Sequence, residues 1–423
     1  MGDGKRVGWI ETVRGEMTSS GSRIDLRKQI LERVKRLVVK VGTSLLTTPD
    51  NYLNNQQIEK LVDQLSQLKE KGYEIILVSS GAIGSGMGRL KLTAKPRSIP
   101  LRQAIAAVGQ CRLMEIYQQA FGKYKQTVAQ VLLTREDFSA RYRYLNARNT
   151  MLTLLSLGVI PIVNENDTVA VEEIKFGDND TLSALVANMV EADLLLILTD
   201  TGGLYEEDPH QNPSASLLSV VEEITPEIES MAGEPGTPLG TGGMYTKIQA
   251  AKIATCSGVP MIVAGGFEEK VLLRIFNIER IGTLFLPRGD ALTSRKRWIA
   301  FSLLPQGEIQ VDEGAKKAIV HHGKSLLSSG IREIRGKFEA GELVSLVGAK
   351  NVEFARGLVN YSSEEIIKIR GRKSCEIESL LGYKYYDEVI HRDNLVILGE
   401  VKEIGNINPE GSGRKSASGE RSV

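Results

Sequence analysis

From about residue 36 to residue 287 the chain alternates short apolar runs with longer stretches of helical periodicity. That alternation admits few folds other than an α/β domain built on a mainly parallel sheet. The runs are LVVKV (37–41), EIILVSS (74–80), TVAQVLLT (127–134), VIPIVNE (159–165), LLLILTD (194–200) and MIVAGG (261–266). Between the first two, Ile58, Leu61, Val62, Leu65 and Leu68 recur at helical spacing, with Gln, Lys and Asp facing away. This segment should be the helix that crosses back over the sheet.

Unusual residues collect where these strands end. Gly42 follows the first, Ser80-Gly81 the second, Asn164-Glu165-Asn166-Asp167 the fourth and Thr199-Asp200 the fifth. A doubly wound sheet binds its ligand beyond the carboxyl ends of its strands, so the ligand site is expected there. A second polar run, Gly177-Asp178-Asn179-Asp180, opens the helix-like TLSALVANM. The segment MAGEPGTPLGTGG (231–243) is too rich in Gly and Pro for a regular element and reads as a mobile loop over the site. There is no GxxxxGK[ST], which excludes a P-loop, and the glycines of GAIGSGMG (81–88) do not follow the GxGxxG spacing of a dinucleotide site.

Taken in chain order, Lys40-Val41-Gly42-Thr43-Ser44, the NEND run, the GDND run, Thr199-Asp200 and Gly240-Thr241-Gly242-Gly243-Met244-Tyr245-Thr246-Lys247 resemble the amino-acid kinase family. The resemblance runs from residue 36 to about 397. It implies an αβα sandwich that transfers the γ-phosphoryl group of ATP to the side-chain carboxylate of L-glutamate, the first step of proline biosynthesis. It also implies feedback inhibition by proline, dimers or tetramers, and a product that a glutamyl phosphate reductase would consume. A related acceptor, N-acetylglutamate, aspartate or carbamate, stands as the alternative. Asp167 argues for a free amino acid, because an acetylated amine cannot pair with a carboxylate.

The chemistry explains why such residues are needed. An attacking carboxylate and the terminal phosphates are all anions, and two unit charges about 4 Å apart repel by ~4 kcal/mol at an effective dielectric near 20. Cations must therefore flank the transferred group. Lys40 and Lys247 are the candidates, although each alone would pass for an ordinary surface lysine. By the resemblance Asp180 holds both lysines in register; by position alone, Asp178, Asn179 and Asp180 also suit the capping of the following helix. Ser80, Asn164, Asp167, Asp178 and Asn179 would bind the amino acid, with Asp167 on its α-ammonium, though Asn and Asp also serve plain turns. Lys40, Gly42, Thr43, Thr199, Asp200, Thr241, Gly242, Gly243, Met244, Tyr245, Thr246 and Lys247 would hold ATP. Mg²⁺ is expected to arrive with the nucleotide, carried by phosphates and water. His321-His322 has no further ligands at metal-binding spacing.

After Arg295-Lys296-Arg297-Trp298 the pattern changes to short β-like pieces with frequent turns, GEIQVDEGAKKAI, GKSLLSSGI, GELVSLVG, EFARGLVNYSSEEI and VIHRDNLVIL, which resemble a PUA domain. The organisation expected is a flexible extension over 1–33, a kinase domain over 34–295, a small β-rich domain over 306–400 and a disordered tail over 401–423. The chain has 423 residues, beyond the ~250–300 at which a single core stops growing. A formal charge of +1 gives no global attraction for nucleic acid. Lys316, Lys317, Lys324, Arg332 and Arg335 are interspersed with acids and lack stacking aromatics, which argues against RNA binding. Cys111, Cys256 and Cys375 are far apart and suit a reducing cytoplasm as packing residues. No apolar run approaches the ~20 residues of a membrane span. The first 30 residues carry Asp3, Glu11, Glu16 and Asp25 and no apolar core, unlike a secretory signal or transit peptide, and Met17 is an alternative start.

Overall fold

The computed structural model describes residues 23–48, 52–92, 98–139, 141–169, 179–209, 212, 214–232, 243–287, 296, 299, 305–384 and 386–398. The chain divides into two compact units, Met1–Leu304 and Pro305–Val423.

The first unit is built on an eight-stranded sheet: β1 (Arg36–Val41), β2 (Glu74–Ser79), β3 (Val128–Leu133), β4 (Ile160–Glu165), β5 (Leu194–Thr199), β6 (Val220–Val221), β7 (Met261–Gly265) and β8 (Thr283–Phe285), in the order β3-β4-β2-β1-β5-β7-β8-β6. All six strands read from the sequence are present. The two additional ones are the short edge pieces β6 and β8, and β8 runs antiparallel to β7. From β1 the order progresses outward both ways, to β2 on one side and β5 on the other, so the strand order switches at β1.

Helices cover both faces, and strand parity decides which side chains meet which helices. On one face Leu37, Val39 and Val41 of β1, with their counterparts on β2, β4, β5 and β7, form a core with α1 (Arg23–Arg33), the short α2 (Thr43–Leu46), α3 (Asn55–Glu70), a long helix over Ile99–Gly122 and one over Val271–Phe276. The helix expected between the first two strands is α3, and its Ile58, Leu61, Val62, Leu65 and Leu68 are all buried. The other face of β1, Val38 and Lys40, lies against the helix Asn179–Met189, which also packs on β2, β4 and β5. That helix is buried on every side, and its apolar residues accordingly show no solvent stripe.

In chain order, further helices of this unit are α4 (Ala82–Arg89), α5 (Ile99–Gly122), α6 (Arg135–Ser139), α7 (Arg141–Ser156), α8 (Asn179–Met189), α9 (Pro226–Met231), α10 (Met244–Cys256) and α11 (Val271–Phe276). Two glycines let α4 and α5 cross at backbone contact. A Cβ on Gly109 would fall 1.8 Å from the Ala82 carbonyl oxygen, and one on Gly86 would fall 2.0 Å from that of Ile105.

One expectation is corrected. The sequence places residues 23–33 in a flexible extension, yet they form α1, whose Leu26, Ile30 and Leu31 are buried in the main core together with Val34. Arg27 anchors it, donating to the carbonyl oxygens of Glu279 at 3.2 Å and Ile281 at 2.5 Å. Burial, with Arg280 nearby, brings the Arg27 guanidinium pKa down to about 10. Residues 1–22, and the segments 233–242 and 401–423 for which a mobile loop and a disordered tail are expected, lie outside the described residues.

The second unit has its own five-stranded sheet, β10 (Ile331–Gly336), β9 (Gly307–Val311), β11 (Leu343–Val347), β12 (Glu353–Leu358) and β13 (Leu395–Ile397) in that order, and its own core centred on Ile309, Phe338, Val344, Leu346 and Tyr361. The β-like reading of GEIQVDEGAKKAI holds only for its first half. Asp312 caps a helix, α12 (Glu313–His322), by accepting from the Ala315 amide, and α13 (Ser363–Ile369) follows β12 behind a Ser362–Glu365 capping box. Among the basic residues noted in this region, Arg332 pairs with Asp312 and Arg335 with Glu308 and Glu333.

Candidate active site

Lys40 is the second-last residue of β1, flanked in register by Val78 of β2 and Ile197 of β5. Its parity turns the side chain toward α8. There its Nζ lies 2.5 Å from Oδ1 of Asp180, in the first turn of α8. From α10 the Lys247 Nζ reaches Oδ2 of the same carboxylate at 3.3 Å, and the Thr246 hydroxyl donates to that oxygen at 2.8 Å. The carbonyl oxygen of Gly243, at the N-cap of α10, lies 2.9 Å from Thr246 Oγ1 as a second acceptor within reach of the same hydroxyl, and accepts from Lys247 Nζ at 3.5 Å.

Asp180 is fully buried, and Lys40 and Lys247 are 6% and 4% exposed. Burial acts first on this carboxyl and pushes its pKa up; the Lys40 and Lys247 ammonium groups, with hydrogen bonds from Lys40 and Thr246, outweigh it and hold Asp180 below the ordinary aspartate range. Two ammoniums and one carboxylate meet here with almost no access to water. Buried charges require partners, and Asp180 supplies one to both ammoniums. The capping role that position alone allowed is not how the Asp180 side chain is used.

The neighbouring residue, Asn179, serves a different cluster. Its Nδ2 is within hydrogen-bond distance of Ser80 Oγ at 2.8 Å, Asn164 Oδ1 at 2.9 Å and the Ser79 carbonyl oxygen at 3.2 Å. Asn164, at the end of β4, is buried, and its Oδ1 also accepts from the Glu165 amide at 2.9 Å. Ser80 follows β2, where Gly81 turns the chain into α4 at φ +101°, a backbone angle that favours glycine. Asp167 is half-buried in the turn after β4. On the other side of β1, Thr199 ends β5 and donates to Asp200 at 3.0 Å, while Gly42 sits where an added Cβ would lie 3.7 Å from Lys40 Nζ.

The structure therefore brings Lys40, Asp180, Thr246 and Lys247 into one charged group and Ser80, Asn164 and Asn179 into an adjoining amide cluster, joined through consecutive residues of α8. Thr43 is exposed at the start of α2, and Met244 and Tyr245 are half-buried in the first turn of α10. Asp178, Thr241 and Gly242 lie outside the described residues. Sequence reasoning passed over Gln110, which accepts from Asn164 Nδ2 at 2.9 Å, and Tyr117, whose hydroxyl lies 2.9 Å from Ser79 Oγ. The signal available was a polar Gln directly after Gly109 in the otherwise apolar AIAAVGQ.

Comparison with known proteins gives the same assignment from outside. The model of the amino acid kinase family matches residues 35–265 and that of the PUA domain residues 307–381. A glutamate 5-kinase of Caldanaerobacter subterraneus subsp. tengcongensis is 58% identical over 370 residues, covering 88% of this chain and 100% of its own. One from Moorella thermoacetica is 53% identical over 369 residues, covering 87% and 98%. Among solved structures, carbamate kinase from Giardia lamblia bound to AMP-PNP covers 60% of this chain and 99% of its own at 16% identity and a TM-score of 0.46, too slight a likeness to bear on function. With more than half of its length matched by the family model and relatives above half identity along nearly all of theirs, the chain belongs to the amino acid kinase family.

Proposed function

We infer that the chain transfers the γ-phosphoryl group of ATP to the side-chain carboxylate of L-glutamate, the glutamate 5-kinase reaction that opens proline biosynthesis. The observation that carries this reading is the start of α8. Asp180 gathers two buried ammonium groups, and one residue earlier Asn179 gathers the ends of β2 and β4. A cationic clamp and a polar acceptor pocket thus share one helix end.

Phosphoryl transfer leaves little covalent work to the protein, so positioning and electrostatics carry the rate. Lys40 and Lys247 offset the repulsion between the incoming carboxylate and the phosphates and stabilise the charge that spreads over the transferred group. Asp180 fixes both ammoniums before substrate arrives, so no reorganisation is needed as the charge develops. The amino ends of α8 and α10 add backbone dipoles of the right sign for anions. Thr199, Asp200, Gly42 and the Gly243-Met244-Tyr245-Thr246 segment hold the nucleotide, which brings Mg²⁺ with it. Ser80 and the Asn164–Asn179 amides hold the amino acid, and Asp167 takes its α-ammonium. Proline, sharing that amine, competes for the same pocket; the enzyme works as a dimer or tetramer and passes its labile acyl phosphate to a reductase.

The test is to trap an ATP-dependent acyl phosphate with hydroxylamine while varying the amino acid. Hydroxamate formed with glutamate supports the reading. Hydroxamate formed with N-acetylglutamate or aspartate and not with glutamate assigns a different acceptor.

A further inference from the structure

We propose that Gln110 is a positioning residue of the acceptor pocket, acting through Asn164. This rests on the glutamate-binding reading above. The orientation of the amides follows from atoms whose roles are fixed. The Glu165 backbone N–H can only donate, so the Asn164 atom it meets is the oxygen. Asn164 therefore turns its Nδ2 to Gln110, and the Gln110 atom that meets it is Oε1, at 2.9 Å. Gln110 Nε2 is left buried with no hydrogen-bond partner among the described residues, in a residue that is only 8% exposed.

An unsatisfied buried donor is destabilising, so an apolar residue here would suit the fold of α5 better. Glutamine is explained by what its oxygen does. Together with the Glu165 amide it holds Asn164 in the orientation that presents Oδ1 to Asn179, and Asn179 in turn reaches Ser80. The placement of Gln110 is itself built in, because Gly109 lets α5 press onto the Ala82 carbonyl at the start of α4. One turn and two turns further along the same face, Leu113 and Tyr117 are fully buried, and Tyr117 meets Ser79. The face of α5 that carries Gln110 is thus the floor beneath the ends of β2 and β4.

Gln110→Met keeps the length and flexibility of the side chain and removes both amide atoms. It deletes one unsatisfied donor and frees one on Asn164, so the melting temperature should stay within a few degrees of the parent. The KM for glutamate should rise roughly three- to tenfold, the size of one lost neutral hydrogen bond, with the KM for ATP within about twofold. In an Asn164→Ala background the same substitution should add little, because residues acting as a unit are non-additive. Gln110→Asn, one methylene shorter, withdraws the amide from Asn164 and should reproduce the defect if the Met variant does not fold. Unchanged glutamate KM in both variants overturns the proposal, as does equal loss for both substrates, or full additivity with Asn164→Ala. A parent enzyme that forms no glutamyl hydroxamate in the same assay would instead refute the functional reading.

Discussion

Replacing Asp180 by Asn tests the centre of the site, because it removes one charge and almost no volume. In the parent the carboxylate lies 2.5 Å from one ammonium and 3.3 Å from the other, with all three side chains essentially excluded from water. Removing one partner from a buried pair typically costs about 3–5 kcal/mol, since the remaining charge is left uncompensated. Here two ammoniums would face each other across a neutral amide, so the upper part of that range is expected. For a unit of this size that is a fall in melting temperature on the order of 10 °C. ATP supplies the missing anions, so saturating ATP should restore more stability to Asp180→Asn than it adds to the parent. Misplaced lysines lose transition-state stabilisation, and kcat should drop by a factor on the order of 10² to 10⁴. The assay is thermal unfolding with and without ATP, paired with hydroxamate formation in the same preparation. A folded variant with kcat within tenfold of the parent would refute the clamp, and an unchanged melting temperature would refute the charge argument.

The depressed Asp180 pKa also sets an acid response: its stabilisation is present above the unfolded value of about 3.9 and is lost as pH falls through the lower folded value, so stability measured from pH 6 to pH 3 should fall more steeply in the parent than in Asp180→Asn below about pH 4. Asp167→Asn should raise the glutamate KM by roughly ten- to a hundredfold, the loss of a ~1.5–3 kcal/mol charged hydrogen bond, while the ATP KM stays put; the reverse pattern in paired KM measurements would assign Asp167 to the nucleotide. Removing the chain from residue 305 onward should leave a folded, active kinase unit, because the two units have separate sheets and cores, and a folded but inactive fragment would show that the second unit shapes the site. Gly109→Ala should destabilise by about 1–3 kcal/mol or more, since the new methyl has no room beside the Ala82 carbonyl; denaturant unfolding at parental stability would contradict the close crossing of α4 and α5.

By itself the sequence determined the sheet and the address of the site. Strands buried on both faces are nearly continuous apolar runs, so LVVKV and LLLIL announce themselves, and the polar residues within or just after them stand out. Helix α3 was equally legible, because one face meets the core and the other meets water. Helix α1 was not: six of the eleven residues in RIDLRKQILER are charged, and a short charged helix is held by tertiary contacts, here Leu26, Ile30 and the Arg27 anchor, more than by its own propensity. GEIQVDEGAKKAI reads as β-like throughout, yet Asp312 caps a helix over Glu313–His322 that buries Ile319 in the core of the second unit, a contact composition does not reveal. Only the tertiary structure decided the partnerships within the site. Asp180 meets Lys40 and Lys247 from different elements, the latter 67 residues away, and Gln110 meets Asn164 across 54. No local pattern encodes such pairs, because they arise from strand order at β1, from the parity that turns Lys40 toward α8, and from two glycines that let α5 approach closely enough for an otherwise ordinary glutamine to reach Asn164.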